Sequence, residues 1–211
     1  RALTGQGVVL VDADYAAPAI DVALDLRDAP DASLLLPRLG REDEEFLEAV
    51  LVPHASGVRA LLAPPPAAEA GPKTPGQIRS ILQVLRGAAS WIVVDLGLPA
   101  DDRARAFLGS ADRVVMNVLP EAIGLRNAGR LLKSLWEQGL PEGATCVVLN
   151  RADMQGGLAP EEIRGHLGIP VSFEVPDDQA LATASVNRGA PIVVDYRYTA
   201  VASAVRELAR R

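Results

Sequence analysis

Short apolar runs alternate along this chain with longer stretches that repeat every three to four residues. The runs lie at 7–11, 58–62, 91–94, 113–119, 144–149 and, more weakly, 169–175. Continuous apolar runs of this length are typical of strands buried on both faces of a parallel sheet. The stretches of helical period lie at 77–85, 122–136, 160–163 and 199–211. Strands that alternate with helices indicate βαβ units, so we predict an α/β fold with a mostly parallel sheet and helices on both faces.

The composition sets the class of protein and its partners. The 211 residues are 49% hydrophobic and 23% charged, which is typical of a globular chain, and we predict one domain over 1–211. A net charge of −6 argues against nucleic acid as a partner. Cys146 is the single cysteine, which excludes an internal disulfide and favours a reducing, cytoplasmic location. No apolar run approaches the ~18 residues of a membrane span.

Polar side chains follow several of the predicted strands. Asp12 and Asp14 end the first run, Asp95 ends a later one, and Asn150 with Arg151 follows another. Ligands of open parallel sheets bind beyond the carboxyl ends of the strands. Two carboxylates two residues apart face the same side, where they suit the water shell of a divalent cation or orient an attacking water. Taken singly, each could instead be a solvated acid or a helix N-cap.

Six blocks of sequence, taken in order, resemble the ParA/MinD family of P-loop ATPases. They are VDAD at 11–14, VVDLG at 93–97, ADRVV at 111–115, PE with LRNA at 120–128, VLNR at 148–151, and VPDD with NRGAP at 175–191. Within the family the chain is most similar to the CpaE/TadZ branch of pilus assembly, through HASG at 54–57 leading to LLAPP at 61–65, and through the LRNA segment. The resemblance implies a SIMIBI-type P-loop NTPase fold and ATP and Mg²⁺ as cofactors.

The same resemblance implies roles for the polar residues at the strand ends. Asp14 corresponds to the switch I aspartate that orients the attacking water, and is the implied catalytic residue. Asp12 and Asp95 correspond to carboxylates that support the metal, with Asp95 at the Walker B position.

For the base of the nucleotide, the resemblance implies four residues. Asn150 would hydrogen-bond adenine, Arg151 would lie near the base, and the backbone of Pro176 and Asp177 would close the other edge. The alternative is structural: Asn150 caps the next turn, and residues 176–178 form a turn with an N-cap.

The implied function is an ATP-dependent switch that dimerises with nucleotide and positions pilus or secretion machinery, in the cytoplasm, at the cell pole or at the inner face of the membrane. Two alternatives stay open. One is a non-catalytic scaffold with the ATPase fold, and the other is a division-site or flagellar-number regulator of the same family.

The sequence departs from the family at the phosphate-binding loop. No G-x-x-x-x-G-K-[ST] occurs in the 211 residues. In the family this loop follows a central strand. A helix then connects the loop to the strand that ends at Asp12, and residues 1–4 of this chain would match the end of that helix. A parallel crossover takes about a dozen residues or more. We therefore expect a sheet without its first strand and phosphate loop, in a fragment of an ATPase or a degenerate family member, with ATP hydrolysis left open.

Overall fold

The computed structural model describes residues 5–40, 44–66, 70–97 and 101–210. These residues form two compact units. The first unit consists of the described residues up to Ser110 together with Ala184–Pro191, and the second of Ala111–Thr183 and the described residues from Ile192 onward. The predicted helix end at 1–4 lies outside the described residues. The single domain predicted over 1–211 stays a prediction.

Strands and helices alternate through the described residues. The strands are β1 (Val8–Asp12), β2 (Val52–Pro53), β3 (Arg59–Leu61), β4 (Trp91–Asp95), β5 (Val114–Val118), β6 (Thr145–Asn150) and β7 (Phe173–Val175). The helices are α1 (Ile20–Ala23), α2 (Glu44–Val50), α3 (Pro75–Ala88), α4 (Asp102–Leu108), α5 (Ala122–Glu137), α6 (Pro160–Leu167), α7 (Gln179–Arg188), α8 (Ile192–Asp195) and α9 (Ala200–Leu208). All six predicted strands are present. The short β2 and the helices α1, α2, α4 and α8 carry patterns too short for the periodicity to predict. The ten-residue α7 was missed because its sequence has little amphipathic character.

The first unit contains a four-stranded sheet in the order β2-β3-β1-β4. β1 pairs in parallel with both β3 and β4, and its last residue, Asp12, lies opposite Asp95. β2 pairs antiparallel with β3. Because β1 has strands on both sides, its apolar residues are among the most buried in the chain, with Val9 and Val11 at 0% and 1% exposure.

Apolar clusters pack against both faces of β1 in this sheet. On one face, Val9 and Val11 pack with the buried side of α3, whose start is fixed by Thr74: its hydroxyl accepts the N–H of Gln77. On the other face, Leu10 packs with Ile20 of α1 and with residues of β3. A parallel sheet needs this double cover, because its strands are apolar on both sides.

The second unit contains a three-stranded, fully parallel sheet in the order β5-β6-β7. α5 contacts β5 and α6, and α9 contacts β7. The approach of α5 to α6 depends on Gly129, where an added Cβ would lie 3.1 Å from the carbonyl oxygen of His166. The α/β class and the mostly parallel pairing predicted from the sequence are therefore confirmed. Within the described ranges, no helix combines the length and apolar character needed to cross a bilayer.

Gly189 provides a test of how the NRGAP segment packs in the first unit. Its φ is +61°, and an added Cβ would lie 2.7 Å from the backbone nitrogen of Asp25 and closer still to its Cβ. We expect Gly189→Ala to lower the free energy of unfolding by about 2 kcal/mol or more, because both the backbone angle and the contact oppose a side chain. Urea denaturation measures the change.

Gly87→Ala is the matched control. Gly87 lies in the last turn of α3, with open space where a Cβ would stand. Alanine there should raise stability by roughly 0.5 kcal/mol, since it restricts the unfolded chain and favours the helix. Similar effects at the two positions would contradict the close approach of Gly189 to Asp25.

Candidate functional site

The Asp12 carboxylate organises the loop that follows β1. The side chain is 2% exposed. One of its oxygens, Oδ1, accepts the N–H of Asp14 at 3.3 Å, and Oδ2 accepts those of Ala19 and Ile20, each at 3.1 Å. The loop therefore folds back around a buried carboxylate, which also satisfies backbone donors at the start of α1. The sequence left a helix-capping role open for this residue but did not predict that the donors lie seven and eight residues further on.

The pKa of Asp12 is raised above the ordinary value of an aspartate. Burial is the main cause, since it disfavours the charged carboxylate. The three backbone donors oppose this effect, and the charge of nearby Asp95 adds to it.

Asp14 and Asp95 meet at Gly97. The Oδ1 atom of Asp14 accepts the N–H groups of Ala16 and Ala17 at 3.2 and 3.0 Å. A Cβ at Gly97 would collide with the other carboxylate oxygen of Asp14, and Gly97 has a φ of +56°. The N–H of Gly97 donates to Oδ1 of Asp95 at 3.1 Å. Glycine is therefore required at 97, both for the backbone angle and for the approach of Asp14.

The structure thus brings together the three carboxylates that the sequence singled out in the first unit. Asp12 is buried, Asp14 is half-buried, and Asp95 is exposed at the end of β4. Within the described ranges, no three His, Cys, Asp or Glu side chains are placed to hold a metal ion on their own. Mg²⁺ commonly uses one or two carboxylates and completes its shell with water and phosphate. The carboxylate oxygens present here fit that donor set, and their roles toward a metal stay predictions.

Tyr15 and α4 form a neighbouring cluster that the sequence did not predict. The guanidinium carbon of Arg103 lies 5.0 Å from the centre of the Tyr15 ring. Arg103 also donates to Asp101 at 2.6 Å, and Asp101 caps α4 by accepting the N–H of Ala104. Burial of Tyr15 raises the pKa of its hydroxyl. The N-cap spacing from Asp101 to Ala104 is the signal that would have predicted α4.

The second unit gathers the predicted base-binding residues at the carboxyl ends of β6 and β7. Arg151 donates to both carboxylate oxygens of Asp177, from Nε at 2.8 Å and from Nη2 at 3.2 Å. This contact raises the pKa of the Arg151 guanidinium. Oδ1 of Asn150 accepts the N–H of Arg151 at 3.1 Å, so its amide lies at the start of the same turn. Asn150, Arg151 and Asp177 are therefore brought together.

The turn after β7 has a structural role as well. Oδ1 of Asp178 accepts the N–H of Leu181 at 2.9 Å in the first turn of α7, which confirms the N-cap alternative for this aspartate. The backbone N–H of Asp177 donates to Oδ1 of Asp153 at 2.6 Å. Sequence reasoning missed Asp153, because nothing in the spacing indicates which strand-end loop its side chain contacts.

The buried Asp12 carboxylate predicts a pH dependence of stability. The folded state holds the Asp12 proton more tightly than the unfolded state, whose pKa is near 3.8. This contribution is therefore present below that pKa and is lost as pH rises through the folded pKa. We expect the stability of Asp12→Asn to rise relative to the parent between about pH 3 and about pH 8, since asparagine cannot ionise.

Chemical denaturation across that pH range measures the difference, with Asp112→Asn at an exposed position as the control. A flat difference for Asp12→Asn would show that burial does not raise the pKa of this carboxyl.

Comparisons with known proteins support the resemblance. The chain is 27% identical over 225 residues to the septum site-determining protein MinD of Bacillus subtilis, covering 100% of this chain and 79% of that protein. The structure is similar to a ParA family ATPase from Chlorobium tepidum (TM-score 0.89, 21% identity, 98% of this chain and 87% of that chain). It is also similar to MinD from Pyrococcus horikoshii complexed with Mg-ADP (TM-score 0.80, 20% identity, 97% and 82%). No family model matches the chain. Its fold is therefore that of the ParA/MinD P-loop ATPases, and the family resemblance predicted from its motifs is supported.

Proposed function

We propose that this chain is the nucleotide-binding part of a MinD/ParA-type, ATP-dependent switch that positions pilus or secretion machinery. One observation carries the proposal: in each unit, the predicted site residues lie together at the carboxyl ends of parallel strands. That edge is where open α/β sheets bind ligands. The similar Pyrococcus MinD is a complex with Mg-ADP, which supports ATP and Mg²⁺ as the cofactors here.

In the first unit, the three carboxylates have different roles, which follow from how exposed each one is. Asp95, with Asp12 through water, would hold Mg²⁺, which when bound neutralises charge on the phosphates. Asp14 orients the attacking water, because its carboxylate is fixed by two backbone donors and by Gly97. Asp12 keeps the loop that carries Asp14 in place through its three backbone contacts.

In the second unit, Asn150 provides the hydrogen bonds to adenine. Its carbonyl oxygen accepts the N–H of Arg151, and its amide nitrogen donates to no other group among the described residues. Arg151 lies beside it in the same turn, and the backbone of Pro176 and Asp177 closes the site from the end of β7.

Tight phosphate binding requires a loop of the G-x-x-x-x-G-K-[ST] type, which does not occur in the 211 residues. The outer edge of β4, unpaired within the described sheet, has backbone groups that suit a further strand. The N–H of Trp91 donates to Gly7 at 3.2 Å, and that of Ala13 donates to Asp95 at 2.8 Å. In a parallel ladder the residues between them, Ile92 and Val94, then direct their N–H and C=O groups away from β1.

This edge is apolar as well as unpaired within the described sheet. Trp91 and Val93 are 55% and 51% exposed, and β4 is the outermost strand of its sheet. Strands of a buried parallel sheet are normally covered, so the exposed edge of β4 supports the expectation that these residues lack a strand of the sheet.

The cargo assignment rests on the resemblance of the HASG segment, which leads to LLAPP at 61–65, and of the LRNA segment to the CpaE/TadZ branch. The HASG segment lies in the hairpin between β2 and β3, where Nδ1 of His54 is 2.7 Å from the hydroxyl of Ser56. The similarity to septum site-determining MinD favours a division-site regulator as the second candidate. For either cargo we propose a homodimer that forms with nucleotide.

Nucleotide titration of the ¹⁵N-labelled chain tests two points: whether the base binds at Asn150, and whether these residues bind phosphate only weakly. We expect millimolar AMP to shift the amide signals of residues 150–152. Mg-ATP should bind no more than about threefold more tightly than AMP, because tight phosphate binding needs loop N–H groups and a lysine that are not present. Binding of Mg-ATP a hundredfold tighter than AMP would contradict this account.

A pair of variants controls for the location of the base. Asn150→Ala should weaken AMP binding roughly tenfold, the effect of losing hydrogen bonds to the base. Asn127→Ala removes an exposed amide of α5 and should leave binding unchanged. Equal affinities of the two variants would place the base elsewhere.

Deletion of the gene in its own host distinguishes the cargoes. We expect loss or misplacement of surface pili, scored by electron microscopy, with division sites unchanged. Complementation with Asp14→Asn should fail, because asparagine lacks the carboxylate that orients the attacking water. The loop should stay folded, since asparagine keeps an acceptor for the N–H groups of Ala16 and Ala17. Asp112→Asn at an exposed position should complement fully. Misplaced septa with normal pili would instead support the division-site regulator.

A further inference from the structure

We propose that Asp153 makes the base site selective for a 6-aminopurine, because it occupies the backbone donor that would otherwise face the base. This inference rests on the proposed base site at Asn150. Asp153 does not itself contact the base; it is a positioning residue that acts through the backbone of Asp177.

The backbone just after β7 has more free hydrogen-bond acceptors than donors. Pro176 has no N–H group. The N–H of Asp177 donates to the carboxylate of Asp153 at 2.6 Å, a short, charge-assisted hydrogen bond. The backbone of residues 176–177 therefore offers a ligand carbonyl acceptors and no free donor.

Two further contacts fix this arrangement. The Asp177 carboxylate is held by both Nε and Nη2 of Arg151, and the N–H of Ala152 donates to the carbonyl of Val175 at 2.9 Å. Arg151 has a φ of +56°, which turns the chain sharply before Asp153. Asp177 is thus tied to the loop after β6 through its side chain and through its backbone.

Asn150 by itself cannot distinguish the purines. Its amide carries both a donor and an acceptor, so rotation of the side chain can match either a 6-amino or a 6-oxo base. A backbone whose donor is already occupied cannot adapt in this way. A backbone carbonyl at 176–177 accepts a hydrogen bond from the 6-amino group of adenine, but with hypoxanthine the same carbonyl oxygen faces the 6-oxo oxygen. A specific site disfavours a ligand that leaves polar groups unpaired in this way.

Adenosine and inosine are matched probes, because they differ only at the 6 position and the neighbouring ring nitrogen. We expect NMR titration of the whole chain to give roughly tenfold tighter binding of adenosine, the effect of one hydrogen bond gained and one mismatch avoided. Asp153→Ala should reduce the preference to about twofold or less, since it frees the Asp177 N–H. Asp153→Asn should retain the preference, because its Oδ1 still accepts that N–H.

The hydrogen bond itself has a readout without ligand. The Asp177 amide should exchange slowly with solvent in the parent chain and in Asp153→Asn, and rapidly in Asp153→Ala. The parent chain's preference and its amide protection need no substitution, so the inference is testable even where the alanine variant does not fold.

The outcomes separate the two levels of the proposal. Equal binding of adenosine and inosine by the parent chain, fast exchange of its Asp177 amide, or an unchanged preference in a folded Asp153→Ala variant would overturn the role of Asp153 and leave the base site standing. Failure of both nucleosides to shift the signals of residues 150–152 would overturn the base site, and this inference with it.

Discussion

Parallel pairing of buried strands is the constraint from which the site follows. A parallel ladder aligns the carboxyl ends of neighbouring strands, so residues far apart in sequence reach the same edge. In the first unit this places Asp12 opposite Asp95, and in the second it places Asn150 opposite Val175, one residue before Pro176. The candidate site residues come together because each follows a strand, and the strands pair in parallel.

The carboxylates at and after the strand ends accept hydrogen bonds from backbone N–H groups of nearby loops, independently of any ligand. Asp12 holds three amides of its own loop, Asp14 holds two, and Asp153 holds the N–H of Asp177. Each contact removes the freedom of a loop that would otherwise be mobile, and a preorganised loop gives up less entropy when a ligand binds. The same contacts set which donors and acceptors remain for that ligand.

The sequence predicted the strands well, because continuous apolar runs of strand length are a strong local signal. It also predicted which side chains gather, since parallel pairing follows from the alternation of strands and helices. It did not predict the partners of Asp12, the stacking of Arg103 on Tyr15, or the contact between Asp153 and Asp177. Those depend on how loops fold back across distances of up to tens of residues, and the residue pattern does not encode that geometry locally. Short helices were missed for local reasons: α4 starts at a single cap, Asp101, and α1 has no side-chain cap of its own, its first N–H groups being accepted by the distant Asp12.

The outer edge of β4 has a consequence for the handling of these residues as a separate chain. An exposed strand with Trp91 and Val93 on one side and unpaired backbone groups along its rim is a template for any other extended segment. β4 contains neither lysine nor proline, two residues that often protect such rims, and its one charge is Asp95 at the end of the strand. In concentrated solution the chain should therefore self-associate through β4, and solubility should improve when a lysine replaces Val93.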